Sequence, residues 1–252
     1  MESIKVLREI CQASRKAGDN WHMKNISRPV SIYITRIFVA TPLTGNQITV
    51  IFVIMGFCAS ILFLRGTPVF VLLGSLMLQL WYIFDMVDGE VARYKKQASI
   101  TGVYFDRITH YIVHPCIFFC IGMGLYAIYD VVWYIYLGFI SSLSTILISI
   151  VWDLKEAVLS GYPKHVSQKI SDPKFGKPAS GILKKIFMRI HVLCIFPSIM
   201  NIITILAILD FFINMHVMKY FLPAYAFFST VIWLSRLTIF VKTKKLDREM
   251  QS

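Results

Sequence analysis

The chain has 252 residues, of which 56% are of the types AVILMFWYC, and it carries 26 Lys and Arg against 14 Asp and Glu. Several runs of about 20 residues are almost free of charge, which is the length needed to cross a hydrocarbon core roughly 30 Å thick. This composition excludes a soluble globular protein. The net charge of +12 can be met by membrane lipids and anionic substrates, so no nucleic acid partner is expected.

The N-terminal region, residues 1–46, is predicted to be cytoplasmic and to include a helix on the membrane surface. Residues 1–27 carry charge and no apolar core segment, so we expect no secretory signal. The stretch SRPVSIYITRIFVATP alternates basic and apolar residues before a proline. This pattern is typical of an amphipathic helix lying beside the first span.

Six membrane spans follow, and their edges are set by the apolar runs. They are predicted at about 47–64, 68–87, 107–127, 131–152, 188–212 and 218–241. No composition shift marks a second domain, so we expect 1–252 to form one all-α membrane domain, with the spans within 47–241 and a cytoplasmic tail at 242–252. Among the loop cations only Arg65 and Lys219 fall opposite the termini, and the positive-inside rule therefore places both termini in the cytoplasm.

The stretch DMVDGEVARYKKQASITGVYFDRITH joins the second predicted span to the third. At 100° per residue, five of its polar or small positions fall within an arc of about 140° on one helix. These positions are Asp85, Asp88, Gly89, Ala92 and Arg93. On the next helix an interval of four residues places Gly102, Asp106, His110 and His114 in one stripe. We expect antiparallel packing to bring the two faces together on the cytoplasmic side.

Three carboxylates that converge near hydrocarbon repel each other unless a cation holds them. Oxygen ligands from Asp85, Asp88 and Asp106 suit a hard divalent ion such as Mg²⁺. Arg93 would then meet an anion, and the small residues leave room for it, which together indicate a phosphate site. The competing interpretation is a solvated charged loop that only anchors two helix ends.

The same stretch resembles the signature of the CDP-alcohol phosphotransferases, D-x2-D-G-x2-A-R, at least eight residues, then G-x3-D-x3-D. Asp85, Asp88, Gly89, Ala92, Arg93, Gly102 and Asp106 occupy the matching positions. The six-span layout, the surface helix and TPLTGNQIT before the first span are also similar to that family.

The resemblance implies an enzyme that releases CMP from a CDP-linked alcohol while passing the phosphorylated group to a lipid or polar alcohol acceptor. It implies two Mg²⁺ or Mn²⁺ ions on the three aspartates, a cytoplasmic active site and a homodimer. It also implies that the nucleotide is bound at seven positions: Asn46, Thr49, Gly89, Ala92, Arg93, Ser99 and Gly102.

His110 departs from the family, which has a fourth Asp at this position. The imidazole can act as the general base for the acceptor hydroxyl, since its reference pKa is about 6.5. It can also be a metal ligand that shifts the preference toward Mn²⁺ or Zn²⁺. A third interpretation is loss of activity.

The acceptor site is less well marked in the sequence. Arg107 and Arg236 are candidates for holding an anionic acceptor, because each lies at or within a span where an unpaired charge is costly. His114 can act as a ligand or a proton shuttle, although a packing role is the more common one. The long basic loop 153–189 can shape the acceptor site or simply fix the topology.

Two other functional classes remain open at this point. A transporter would use the intramembrane Asp and His as an ion or proton path, but the charged cluster lies at one face only. A catalytically inactive relative that still binds nucleotide is made plausible by His110.

Overall fold

The structure, a computed structural model, describes residues 2–13, 22–161 and 189–242. These residues fold into α-helices, with a π-helical turn at Met23–Ser27. The helices are α1 (Ile4–Gln12), α2 (Arg28–Val39), α3 (Gly45–Phe63), α4 (Pro68–Tyr94), α5 (Ile100–Tyr129), α6 (Trp133–Gly161), α7 (Ser198–Ile213) and α8 (Met218–Lys242). Most of the loop predicted to shape the acceptor site, 162–188, lies outside the described residues.

Local sequence signals define where the helices of the site begin. The Thr44 side chain accepts a hydrogen bond from the Gln47 backbone amide, and the Gln47 side chain accepts one from the Thr44 backbone amide. α3 therefore starts with a complete capping box. Ser99 caps α5 by accepting a hydrogen bond from the Gly102 amide. Asp130, in the left-handed region at φ 53°, ends α5.

Five of the described helices are long and apolar enough to cross a membrane, which makes the chain a multi-pass membrane protein. They are α3, α4, α5, α6 and α8. The predicted span 188–212 is divided differently, because the described residues 189–194 are helical and are followed by a break and then by α7. At about 1.5 Å per residue, the 16 residues of α7 extend for about 24 Å, less than a full hydrocarbon core.

The signature residues lie within long helices, since α4 continues to Tyr94 and α5 already begins at Ile100. The predicted spans ended at 87 and began at 107, so both helices extend further than their apolar runs. Both helices extend past their apolar runs because the backbone hydrogen bonds of a helix continue through polar residues.

The main core lies where α3 packs against α4 and α5, with α6 against α5 and α8, and α7 against α4. Its largest fully buried side chains include Trp81, Phe52 and Phe118. α4 and α5 make few close backbone contacts with each other, and their predicted faces meet through side chains, as where Asp85 lies beside His110. α3 contacts both helices and leaves a cavity between their signature ends.

α2 packs against α4 with its polar face inward. Ser31 and Thr35 on that face are fully buried. The opposite face carries an exposed apolar stripe at intervals of three and four residues, formed by Ile26, Val30, Tyr33 and Ile37. α2 is therefore amphipathic, with the apolar side turned outward.

Candidate active site

A cavity of about 480 Å³ opens between the signature ends of α4 and α5 and the beginning of α3. All the predicted metal and nucleotide positions line it, together with seven residues that the sequence did not single out. The predicted ones are Asn46, Thr49, Asp85, Asp88, Gly89, Ala92, Arg93, Ser99, Gly102, Asp106 and His110. The additional ones are Met23, Arg28, Gly45, Met86, Gln97, Ala98 and Val103.

Asp85, Asp106 and His110 form the tightest group in the cavity, with one ligand atom from each lying within 4.8 Å of the others. His110 Nε2 lies 3.0 Å from Asp85 Oδ1 and 3.5 Å from Asp106 Oδ1. The interval of four on α5 places Asp106 and His110 on one face, and Asp85 reaches them from α4. One imidazole nitrogen therefore faces two carboxylates.

These residues fit a divalent metal ion. Asp106 Oδ1 is buried and has no hydrogen-bond partner among the described residues, although a buried carboxylate oxygen ordinarily has one. Two carboxylates and an imidazole are a normal donor set for Mn²⁺ and also serve Mg²⁺ through the oxygens. Asp85, Asp106 and His110 can therefore hold a metal ion together.

Asp88 lines the same cavity but is fixed differently. Its side chain is buried, and its Oδ2 accepts a 2.7 Å hydrogen bond from Thr49 Oγ1 on α3. Gly45 makes this approach of α3 to α4 possible, because a Cβ there would lie 2.8 Å from Ala92 Cβ and 3.0 Å from the Asp88 carbonyl oxygen. Thr49, predicted as a nucleotide contact, thus also orients a predicted metal ligand.

The beginning of α5 forms the opposite wall. A Cβ on Gly102 would lie 3.2 Å from Asn46 Oδ1 and 3.3 Å from Ser99 Oγ, so the three residues surround one small space. The N-termini of α3 and α5 both contribute to the lining, and such termini favour negative charge. This wall is suited to a phosphate group.

Two arginines supply positive charge to the cavity. Arg93 donates from Nε to the Cys11 carbonyl at 2.6 Å, which ties the end of α4 to α1. Arg28 donates from Nη1 to Glu90 Oε1 at 3.2 Å. Burial raises the pKa of the Cys11 thiol to about 11, and the Glu90 charge adds to this shift, so the thiol is protonated at neutral pH and serves as a packing residue.

The three weaker acceptor candidates do not line this cavity. Arg107 forms a 2.7 Å ion pair with Asp153 on α6, and Tyr111 donates to the same carboxylate. The Arg236 guanidinium lies 5.1 Å from the Trp152 ring centroid, and its Nη2 lies 3.5 Å from His191 Nδ1. Arg107 thus has a carboxylate partner, whereas Arg236 contacts an aromatic ring and an imidazole.

His114 lies behind His110 and away from the cavity lining. Its Nε2 is 3.3 Å from His110 Nδ1, and its ring stacks on Phe196 with centroids 3.7 Å apart. The Trp81 ring contacts both imidazoles edge-on. His114 therefore supports the orientation of His110 from the apolar side.

The polar side chains that the sequence analysis missed lie mainly in the N-terminal segment. Arg28, Ser31 and Thr35 share one helical face, and this polar stripe was a readable signal. Glu90 occupies an unassigned position of the signature and turns toward that stripe. The direction of the Glu90 side chain depends on the rotation of α4 about its axis. The position of Glu90 in the sequence therefore did not predict its contact with α2.

A family model described as CDP-alcohol phosphatidyltransferase matches residues 42–208 of the chain. Two curated relatives are both named bifunctional IPC transferase and DIPP synthase. The protein from Thermococcus kodakarensis is 27% identical over 137 residues, which cover 54% of this chain and 30% of the relative. The protein from Aquifex aeolicus is 28% identical over 96 residues, covering 38% of this chain and 21% of the relative. The chain thus spans less than a third of either relative.

A solved structure shares the fold. The crystal structure of Mycobacterium tuberculosis phosphatidylinositol phosphate synthase with CDP-DAG bound aligns with a TM-score of 0.61 and 18% sequence identity. The alignment covers 83% of this chain and 92% of that chain. Nearly the whole of that chain therefore has a counterpart in this fold.

Proposed function

The chain belongs to the CDP-alcohol phosphatidyltransferase family, and we propose that it moves a substituted phosphate group from a CDP-linked donor to an acceptor hydroxyl in polar-lipid synthesis. The observation that carries this proposal is the cavity in which Asp85, Asp106 and His110 converge beside Asp88 and Arg93. Only the tertiary arrangement unites acids, a base and a cation in one space.

We place the domain in the membrane with six crossings. α7 and the stretch at 189–194 together make the fifth crossing, and α2 lies at the interface with its apolar stripe toward lipid. Both termini and the cavity face the cytoplasm under the positive-inside rule. The protein acts as a homodimer within the bilayer, as the family resemblance implies.

Asp85, Asp88 and Asp106 would hold two divalent ions, Mg²⁺ or Mn²⁺, and His110 is the alternative fourth ligand where it does not act as the base. When bound, such ions neutralise the charge that develops on the transferring phosphate. Thr49 orients Asp88 through its hydrogen bond, and His114 orients His110 from behind. The chain thus fixes the ligands before any substrate arrives.

The donor binds between the two helix N-termini and the arginines. Arg93 contacts the phosphates, while the small residues let the nucleotide approach the helix backbone. Asn46 and Ser99 are the polar groups nearest this space and contact the nucleotide with Thr49. The set is completed by Gly89, Ala92 and Gly102.

His110 takes the proton of the acceptor hydroxyl. Its Nε2 faces the cavity between two carboxylates, which hold the ring and stabilise the imidazolium that forms. The acceptor oxygen then bonds to the β-phosphorus, the bond to the CMP oxygen breaks, and CMP leaves. A phosphodiester is the product.

The acceptor is a lipid or a polar alcohol that reaches the cavity along the membrane surface. Arg107 and Arg236 are secondary candidates for this site, and His114 is a further one. The ion pair of Arg107 with Asp153 and the stacking of Arg236 on Trp152 favour a structural role for both arginines.

The proposed function is tested by CMP release from a panel of CDP-alcohols, with the purified protein in nanodiscs and with Mg²⁺ or Mn²⁺. We expect release with at least one donor and its loss in Asp85→Asn. The matched control is Asp210→Asn. Asp210 is a buried carboxylate far from the cavity that accepts hydrogen bonds from the Val217 and Met218 backbone amides.

A folded protein that binds CDP nucleotides but releases no CMP with any donor and acceptor would establish the inactive relative. Ion flux in proteoliposomes without CMP release would instead establish a transporter. Either result would overturn the proposed enzymatic function.

A further inference from the structure

Glu90 lies inside the signature, yet its side chain points away from the floor of the cavity and is fully buried. Its Oε1 accepts hydrogen bonds from Gln12 Nε2 at 2.9 Å, Arg28 Nη1 at 3.2 Å and Ser31 Oγ at 2.8 Å. Its Oε2 accepts from Thr35 Oγ1 at 2.6 Å. Each of these donors belongs to the N-terminal segment that comprises α1 and α2.

A buried carboxylate is stable only when donors replace the lost water, and here the donors come from a separate part of the chain. The polar face of α2 would be equally costly to bury without an acceptor. Glu90 and the N-terminal segment therefore satisfy each other. The position of α1 and α2 on α4 depends on this carboxylate.

The N-terminal segment also reaches the cavity. Arg28 lines the cavity while its Nη1 is held by Glu90, and Met23 lines it from the π-helical turn just before α2. The Cys11 carbonyl of α1 accepts from Arg93 Nε, so the segment contacts the second cavity arginine as well. Both cationic side chains of the cavity are positioned by groups that Glu90 anchors.

We propose that Arg28 is a donor-binding residue for the anionic diphosphate of a CDP-linked substrate and that Glu90 is the positioning residue that aims it. This inference rests on the proposed function and adds the N-terminal segment to the donor site. A guanidinium presents a planar fork that suits phosphate oxygens, which a lysine ammonium lacks.

The test compares Glu90→Gln and Arg28→Lys with the wild type in nanodiscs. Glu90→Gln keeps the shape and removes the charge, whereas Arg28→Lys keeps a cation beside Glu90 and removes the fork. We expect the KM for the CDP donor and the Kd for CDP to rise about tenfold in each variant. We expect kcat to stay within about twofold of the wild-type value, because neither residue contacts the acceptor or the proton that is transferred from it.

The double variant tests whether Glu90 acts through Arg28. If it does, the donor KM of the double variant will be close to that of Arg28→Lys alone. If the two residues act independently, the fold increases in KM of the single variants will multiply in the double variant. Asp210→Asn is the control for a buried carboxylate outside the site, and its donor KM should equal that of the wild type. A thermal unfolding curve is used to check that each variant is folded. If Glu90→Gln does not fold, the donor KM of Arg28→Lys alone tests the inference.

An unchanged donor KM in folded Arg28→Lys, or multiplied effects in the double variant, would overturn this inference and leave the proposed function intact. A wild-type protein that binds no CDP nucleotide would overturn both. A fall in kcat alone would overturn the inference, because it would show that Arg28 acts in the transition state and not in donor binding.

Discussion

The hydrogen bond from Thr49 to Asp88 is the most direct test of how α3 shapes the site. Thr49→Val preserves the side-chain volume and removes the hydroxyl that donates to Asp88 Oδ2 at 2.7 Å. Both residues are buried, so water does not easily replace the lost donor. The carboxylate of Asp88 is then no longer held toward the cavity.

The magnitude follows from the kind of bond that is lost. A hydrogen bond to a charged group contributes about 1.5–3 kcal/mol, which corresponds to about 10- to 150-fold in an equilibrium constant. Groups that orient metal ligands have effects of the same size, about 10- to 100-fold on affinity or activity. We therefore expect the metal-dependent affinity for CDP and the kcat/KM to fall by about 10- to 100-fold.

The assay is titration of CDP by calorimetry at fixed Mn²⁺, followed by CMP release under the same conditions. The matched control is Thr145→Val, because Thr145 is also buried and its Oγ1 donates to the Ser141 carbonyl at 2.8 Å, but it lies in α6. That variant should lose about 1–3 kcal/mol of stability, because the buried Tyr225 hydroxyl also loses its bond to Thr145, and it should keep its CDP affinity. Equal CDP affinity in folded Thr49→Val and wild type would refute the role of Thr49 in positioning Asp88.

Three further predictions concern the metal, the base and the packing of α3. Chelation with EDTA should abolish both CDP binding and CMP release, and Mg²⁺ or Mn²⁺ should restore them; activity that survives chelation would contradict the metal site. His110→Asp should lower the ratio of Mn²⁺- to Mg²⁺-supported activity by about tenfold and move the pH profile, because an oxygen donor replaces a nitrogen; unchanged metal preference and pH profile would show that His110 has neither role. Gly45→Ala should cost about 1–3 kcal/mol of stability and weaken CDP binding, since its Cβ would lie 2.8 Å from Ala92 Cβ. Gly74→Ala, whose Cβ would lie 3.1 Å from the Ala59 carbonyl oxygen outside the cavity lining, should affect stability alone, and a similar loss of CDP affinity there would refute the local explanation.

The sequence by itself determined the elements that depend on neighbours along the chain. The apolar runs predicted the long helices, and the intervals of three and four placed Asp85 with Asp88, and Asp106 with His110, on common faces. Helix geometry fixes these relations whatever the rest of the fold does. The signature spacing indicated the family for the same reason, and the family match confirms it.

The tertiary structure decided which faces meet. The signature faces of α4 and α5 meet through side chains, as where Asp85 lies beside His110, and α3 contacts both helices around the cavity. Thr49 therefore meets Asp88, while Arg107 meets Asp153 on α6. Glu90, one residue from Gly89 in the signature, turns to the N-terminal segment. Spacing along one helix cannot specify these pairs, because they depend on the rotation and separation of helices that are distant in the chain.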